Sequence, residues 1–234
     1  MVDGLVDFYF EYCNWVYPNV NYRAFMAAWA RYKSGAAPDR TVLATVCMIM
    51  AVTVLYLPAD HELLRALPPD TEELGTHLYN IMRLALQRKQ TENRAYTLEL
   101  VELHLIRSHY LTISKIDSEE TWHVKGELMN IATAMGLHRD PGKEVPLEVA
   151  ERRRWAWWNT IIYERYVFGR IYPVPSGPNL LCLAAVGKPL CLDALSQSHH
   201  TILIHNCHRI AIPKLTLLES YTTQTFIYSG LLSY

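Results

Sequence analysis

The chain has 234 residues, half of them hydrophobic, and a formal net charge of −1. That length and apolar content suffice to bury roughly 70% of the unfolded surface around one sizeable core. The balanced charge gives no basic field for gripping phosphate, so direct binding of nucleic acid by these residues is disfavoured. The five cysteines, Cys13, Cys47, Cys182, Cys191 and Cys207, are odd in number and widely scattered. They form neither a disulfide framework nor a paired metal site, and a reducing intracellular compartment fits them best.

In chain order, "MVDGLVDFYFEY" opens with acids where a secretory leader needs Lys or Arg, so no leader is expected. Thr41 to Leu57, "TVLATVCMIMAVTVLYL", runs 17 residues without a charge, at the lower edge of what spans a bilayer. Its three threonines and the neighbouring Pro58 favour a buried core helix, and no membrane association is expected. "PDTEELGTHLYNIMRLALQRK" opens with Asp70 as N-cap and Glu73 three residues on, then sets Leu74, Leu78, Ile81, Met82 and Ala85 on one helical face. "NRAYTLELVELHLIRSHYLTIS" keeps the helical period through Leu98, Val101 and Leu105. His104 and His109 within it do not share a face and are expected to be partly buried or exposed. "DSEETWHVKGELMNIATAMG" repeats the Asp-x-x-Glu opening at Asp117 and Glu120, with Trp122, Gly126, Met129 and Ala132 at helical spacing.

The stretch "AMGLHRDPGKEVPLEVAERRRWAWW", residues 134–158, then joins two helices. Gly136 is placed to end the first with a left-handed residue, and Leu137 to fold back as its hydrophobic contact. His138, Arg139, Asp140 and Pro141 form the turn, and the second helix restarts near Pro146 or Leu147. On it Glu151, Trp155 and Trp158 share a face that Ile162 continues, so these aromatics are expected to face the core. The arginines at 152–154, Arg153 among them, are expected to bridge the hairpin, with Asp140 as one partner, and to cover the Trp residues with their stems. No convincing strand pattern appears before residue 168. The fold class is all-α, an irregular multi-helix domain of antiparallel hairpins.

No nucleophile elbow, phosphate loop, dinucleotide fingerprint or metal-protease pattern occurs, and no catalytic residue is assigned. Glu120 and His123 form a lone Glu-x-x-His where a di-iron bundle needs two. His199, His200, His205, Cys207 and His208 match no zinc spacing, so no metal site is assigned there either.

"GLHRDP", the following "ERRRWAWW" helix and "YERYV" together resemble the fungal-specific transcription factor domain, the middle homology region of zinc-cluster regulators. "VDFYFEYCNWVYPNVNYRAFMAAWARYKSG" is similar to that domain's opening, and "ETWHVKGELMNIATAMGLHRD" to its central helix; the resemblance covers about residues 5 to 167 and returns faintly at "GKPLCLD". It implies a nuclear, non-enzymatic regulator of transcription that acts through other regulators or a dimer partner and senses a small-molecule effector. The family's six-cysteine zinc cluster is absent from these residues, so no cofactor is expected here and DNA contact would be indirect. Trp122, Met129, Trp155, Trp158 and Ile162 are the candidate effector contacts. Only six Lys, Arg, Asp or Glu lie beyond residue 168. Residues 1–167 are therefore read as the regulatory domain, incomplete at its C-terminal end, and 168–234 as a divergent, inserted or mis-spliced segment. A helical small-molecule-binding protein or an enzyme of unassigned reaction is the alternative reading.

Overall fold

A computed structural model describes residues 1–36, 38–114 and 118–171, with Ser118 and residues 165–171 as backbone alone. The Asp117 cap, the segment beyond residue 171 and the histidine-rich stretch at 199–208 lie outside the described residues. Seven α-helices run in order: α1 (Val2–Phe8), α2 (Tyr22–Lys33), α3 (Arg40–Tyr56), α4 (Thr71–Glu92), α5 (Leu98–Ser114), α6 (Ser118–Ala134) and α7 (Leu147–Ile171). A π-helical turn, Tyr9–Cys13, extends α1, and a 3-10 turn, Glu62–Ala66, precedes α4. No strand occurs among the described residues, so the chain is all-α.

The uncharged run at 41–57 forms α3, capped by the Asp39 carboxylate, which accepts from the Thr41 amide. It is a core helix, packed against α1, α2, α4 and α5. Its threonines are tolerated because the Thr45 and Thr53 hydroxyls donate to the carbonyls of Thr41 and Ile49, four residues back. Among the described residues no helix is long and apolar enough to cross a membrane.

α4 starts at Asp70, whose carboxylate accepts from the amides of Glu72 and Glu73, and buries Leu78, Met82 and Ala85 along α3. Arg40 at the start of α3 forks onto Glu92 at the end of α4, so the two helices run antiparallel. Gly75 lets the Tyr110 hydroxyl lie against α4, since a Cβ there would stand 3.0 Å from it. α5 is surrounded by α3, α6 and α7, and every residue from Leu100 to Leu111 is buried. Glu102, His104, Arg107, Ser108 and His109 are thus interior, correcting the expectation of partly buried or exposed histidines.

Between α6 and α7 the turn is ordered by its backbone. Gly136 has φ +65°, its amide donates to the Thr133 carbonyl, and the Leu137 amide donates to that of Ala132. These are the paired bonds of a Schellman cap, and Leu137 is buried beside them. Arg153 donates to the Met135 carbonyl at 3.0 Å, while Arg154 binds Asp140 at 2.8 Å and Glu151 at 2.6 Å. Arg139 donates to the His138 ring, which lies 5.9 Å from the Trp157 ring; Pro141 is half-buried beside them.

The inward face of α7 differs from the sequence reading. Ala156, Asn159 and Thr160 are buried, whereas Trp155 is 46% and Ile162 48% exposed, and Trp158 is half-buried. The cause is Arg152, whose guanidinium reaches into α5 and holds the helix with its small and polar positions inward. Trp155 and Ile162 then stand roughly a quarter-turn to one side. On α6 the buried stripe is Val124, Leu128, Ile131 and Ala132; Trp122 and Met129 are half-buried and Gly126 is exposed. Trp155→Ala is accordingly expected to cost less than about 1 kcal/mol in a denaturant unfolding curve, and Ala156→Leu about 1 to 3 kcal/mol through overpacking.

Candidate functional site

A helix that is apolar all round belongs in a core, and from Leu100 to Leu111 α5 meets that description except for five buried polar residues. Buried charges must be paired and hydrogen-bonded or they cost several kcal/mol each. Three knots of side chains meet this requirement.

The first is at the α4 side. The Arg107 guanidinium donates to the Tyr79 hydroxyl at 3.0 Å, to Glu120 at 2.7 Å and to Glu127 at 3.4 Å. One buried cation therefore ties α4, α5 and α6 together. The Tyr79 hydroxyl and the Arg107 guanidinium hold the Glu120 carboxyl below the usual range. The Tyr79 ring stacks on Tyr110 with centroids 5.4 Å apart, which fixes its hydroxyl. One turn before Arg107 lies His104, fully buried, its Nε2 3.8 Å from Glu127 and neither nitrogen hydrogen-bonded within the protein. Burial, with the nearby charges of Arg107 and Lys89, pushes its pKa down to about 3, so it is neutral.

The second knot joins α5 to α7. Arg152 donates from Nε to Glu102 at 2.7 Å and from Nη1 to Glu99 at 2.9 Å, and Glu102 also accepts from the Asn21 amide. The third joins α5 to the loop before α2 and to α3. Asn19 donates to His109 Nδ1 at 3.0 Å, which makes that nitrogen the acceptor and leaves the Nε2 proton for the Tyr56 hydroxyl, also at 3.0 Å. Burial pushes the His109 pKa down to about 4.

The first knot reaches an opening. A cleft of about 610 Å³ lies over Arg107 between α4 and α6. Arg83, Leu86 and Gln90 form the α4 wall, Trp122, His123, Gly126 and Glu127 the α6 wall, and Tyr96 also lines it. It is an open, mostly polar cleft, with Leu86, Tyr96, Trp122 and Ile131 supplying its apolar surface.

Of the sequence candidates, Trp122 lines this cleft. Met129 does not, and Trp155, Trp158 and Ile162 lie on α7, outside it. Gly136 to Pro141 form the hairpin turn, and Glu151 and Arg153 lie on the opening turns of α7, Arg153 reaching back to the Met135 carbonyl. His123 lines the cleft, but Glu120, its partner in Glu-x-x-His, is turned to Tyr79 and Arg107. Among the described residues no group of three or more His, Cys, Asp or Glu could hold a metal ion. Glu102, Arg107, Glu127 and Gln90 went unsingled in the sequence, and His104 was read there only as partly buried or exposed. For Glu102, His104 and Arg107 a signal was available: "LELVELHLIRSHYL" is too apolar on every face to be a surface helix, so its charges had to be interior and partnered.

A family model described as the fungal specific transcription factor domain matches residues 6–168. No solved structure matches the chain.

Proposed function

Because the chain belongs to the fungal specific transcription factor domain family, we propose that it is the regulatory region of a nuclear transcription factor of the zinc-cluster type, with a regulatory rather than a catalytic role. DNA contact comes from a module outside residues 6–168, on the same chain or a partner, since the described surface carries no basic field. Residues 1–167 form the regulatory domain in this reading, and residues 168–234 are a divergent segment.

Its output is set at the cleft above Arg107, where an effector or a partner side chain enters. The observation that carries this is the unequal fork of Arg107, 2.7 Å to Glu120 but 3.4 Å to Glu127, with Glu127 also held by Gln90 at 3.1 Å. The weaker arm faces the cleft. A ligand taking Glu127 changes how α6 is tied to α4 and α5, and a ligand biases a two-state body only through such differential contacts. Trp122 is the aromatic wall of the site. The other expected contacts, Met129, Trp155, Trp158 and Ile162, are not part of it.

The test is the chain fused to a heterologous DNA-binding module in fungal cells carrying a reporter. The fusion is expected to raise or lower transcription relative to the module alone. A fusion that is abundant, folded and nuclear yet leaves the reporter unchanged would refute the regulatory reading.

A further inference from the structure

The cleft over Arg107 carries opposite charges at its two ends. Near Glu120 stands Arg83, exposed and with no hydrogen bond or ion pair among the described residues. Glu120, the carboxylate it stands near, is already taken by Tyr79 and Arg107. At the other end Glu127 accepts from Gln90 at 3.1 Å and from Arg107 only at a stretched 3.4 Å. A carboxylate offers about four acceptor positions, so Glu127 has capacity left.

His104 reinforces this. It is fully buried directly behind Glu127, 3.8 Å away, and neither ring nitrogen is hydrogen-bonded. A protonated imidazole there would neutralise Glu127 from the protein side. Burial keeps the ring uncharged at neutral pH, so on the protein side the Glu127 charge is met only by the stretched arm of Arg107, among the described residues. Arg83 and Gln90, the latter bonded to Glu127, are seven residues apart on α4, two turns or about 10 Å. Leu86 on α4 and Trp122 on α6 supply apolar surface in the cleft, and Gly126 leaves it open, because a Cβ built there meets nothing within 4 Å.

We propose that this cleft binds an elongated zwitterion, an aliphatic chain with a carboxylate at one end for Arg83 and an ammonium at the other for Glu127. The two ends act together: a carboxylate alone satisfies Arg83 but leaves the remaining acceptor capacity of Glu127 unused, and an amine alone does the reverse. The proposal rests on the cleft being the regulatory site, and it names the class of effector.

The test uses ε-aminocaproate as the probe, titrated calorimetrically into the purified full chain, with caproate and hexylamine as single-charge controls. Saturable binding of ε-aminocaproate is expected, at least about ten-fold tighter than either control, a difference of one charge-assisted contact. Arg83→Gln and Glu127→Gln are each expected to weaken it about ten-fold. Gly126→Phe is expected to abolish it by filling the cleft, while its helical circular dichroism and cooperative unfolding remain. Failure of ε-aminocaproate to bind, equal affinity for a single-charge control, or full binding by a folded Gly126→Phe protein would overturn the proposal. These outcomes are read without transcription. A reporter that responds while ε-aminocaproate fails to bind overturns the effector class alone, and a silent reporter with binding intact overturns the regulatory reading alone.

Discussion

Replacing Arg152 with alanine is expected to cost about 3 to 5 kcal/mol of stability, the largest single loss available on α7. Its partner Glu102 has a side chain only 7% exposed, and without the guanidinium its one remaining hydrogen bond among the described residues is from the Asn21 amide. The loss comes from stranding a buried carboxylate more than from the worth of the pair, so removing both charges should be milder. Glu102→Leu with Arg152→Met is expected to lie closer to wild type than Arg152→Ala does. Equilibrium unfolding of the two single variants and the double variant measures this directly. Two independent, additive losses would show that the contact between α5 and α7 is not held by this pair. Burial already holds the Glu102 carboxyl above its usual range. The Arg152→Ala protein should therefore recover part of its deficit as pH falls and Glu102 takes up a proton.

The second large effect is acid sensitivity. His104 and His109 have folded pKa values near 3 and 4, against an ordinary value of 6.5. A histidine whose folded pKa is depressed stays neutral in the fold while the unfolded chain takes up a proton. Stability is thus full above about pH 6.5 and is lost as pH falls from there toward 4, at up to about 1.4 kcal/mol per pH unit for each ring. Glu120 adds to the loss below pH 4.5, because its folded pKa is also depressed. Glu102 opposes it, since a raised folded pKa makes its protonation favour the fold. The two histidines should dominate between pH 6 and 5, and unfolding free energies measured there are expected to fall steeply. His104→Leu removes one ring whose nitrogens are unsatisfied, so it is expected to be close to neutral at pH 7 and to lower the acid slope by about half. An unchanged slope in that variant would place the acid sensitivity elsewhere.

The sequence made the helices legible where local chemistry decides them. Asp70 with Glu73, the uncharged run of α3, and Gly136 followed by Leu137 each end or cap a helix through contacts within a few residues. The inward face of α7 was not legible, because two tryptophans outweigh an alanine and an asparagine in any hydrophobic pattern. What turns that helix is Arg152, and its partners Glu99 and Glu102 lie about fifty residues earlier. The cleft was half legible: Trp122 stood out as an aromatic at helical spacing. Arg107 did not, because its role depends on Tyr79, Glu120 and Glu127 arriving from two other helices. The family resemblance was carried by segments spread over about residues 5 to 167, the hairpin turn and α6 among them. The candidate site lies in α4, α5 and α6, whose polar residues acquire meaning only when packed.

The central claim is that the tie between Arg107 and Glu127 governs a transcriptional output. The most direct measurement is the DNA-tethered reporter carrying wild-type chain, Glu127→Gln or Trp155→Ala, at matched abundance and nuclear level. Glu127→Gln keeps the shape of the side chain and removes the charge facing the cleft, so it is expected to shift the output away from wild type. Trp155→Ala alters an exposed position on α7 and is expected to leave it unchanged. Equal output from all three proteins, or a shift only with Trp155→Ala, would contradict the account.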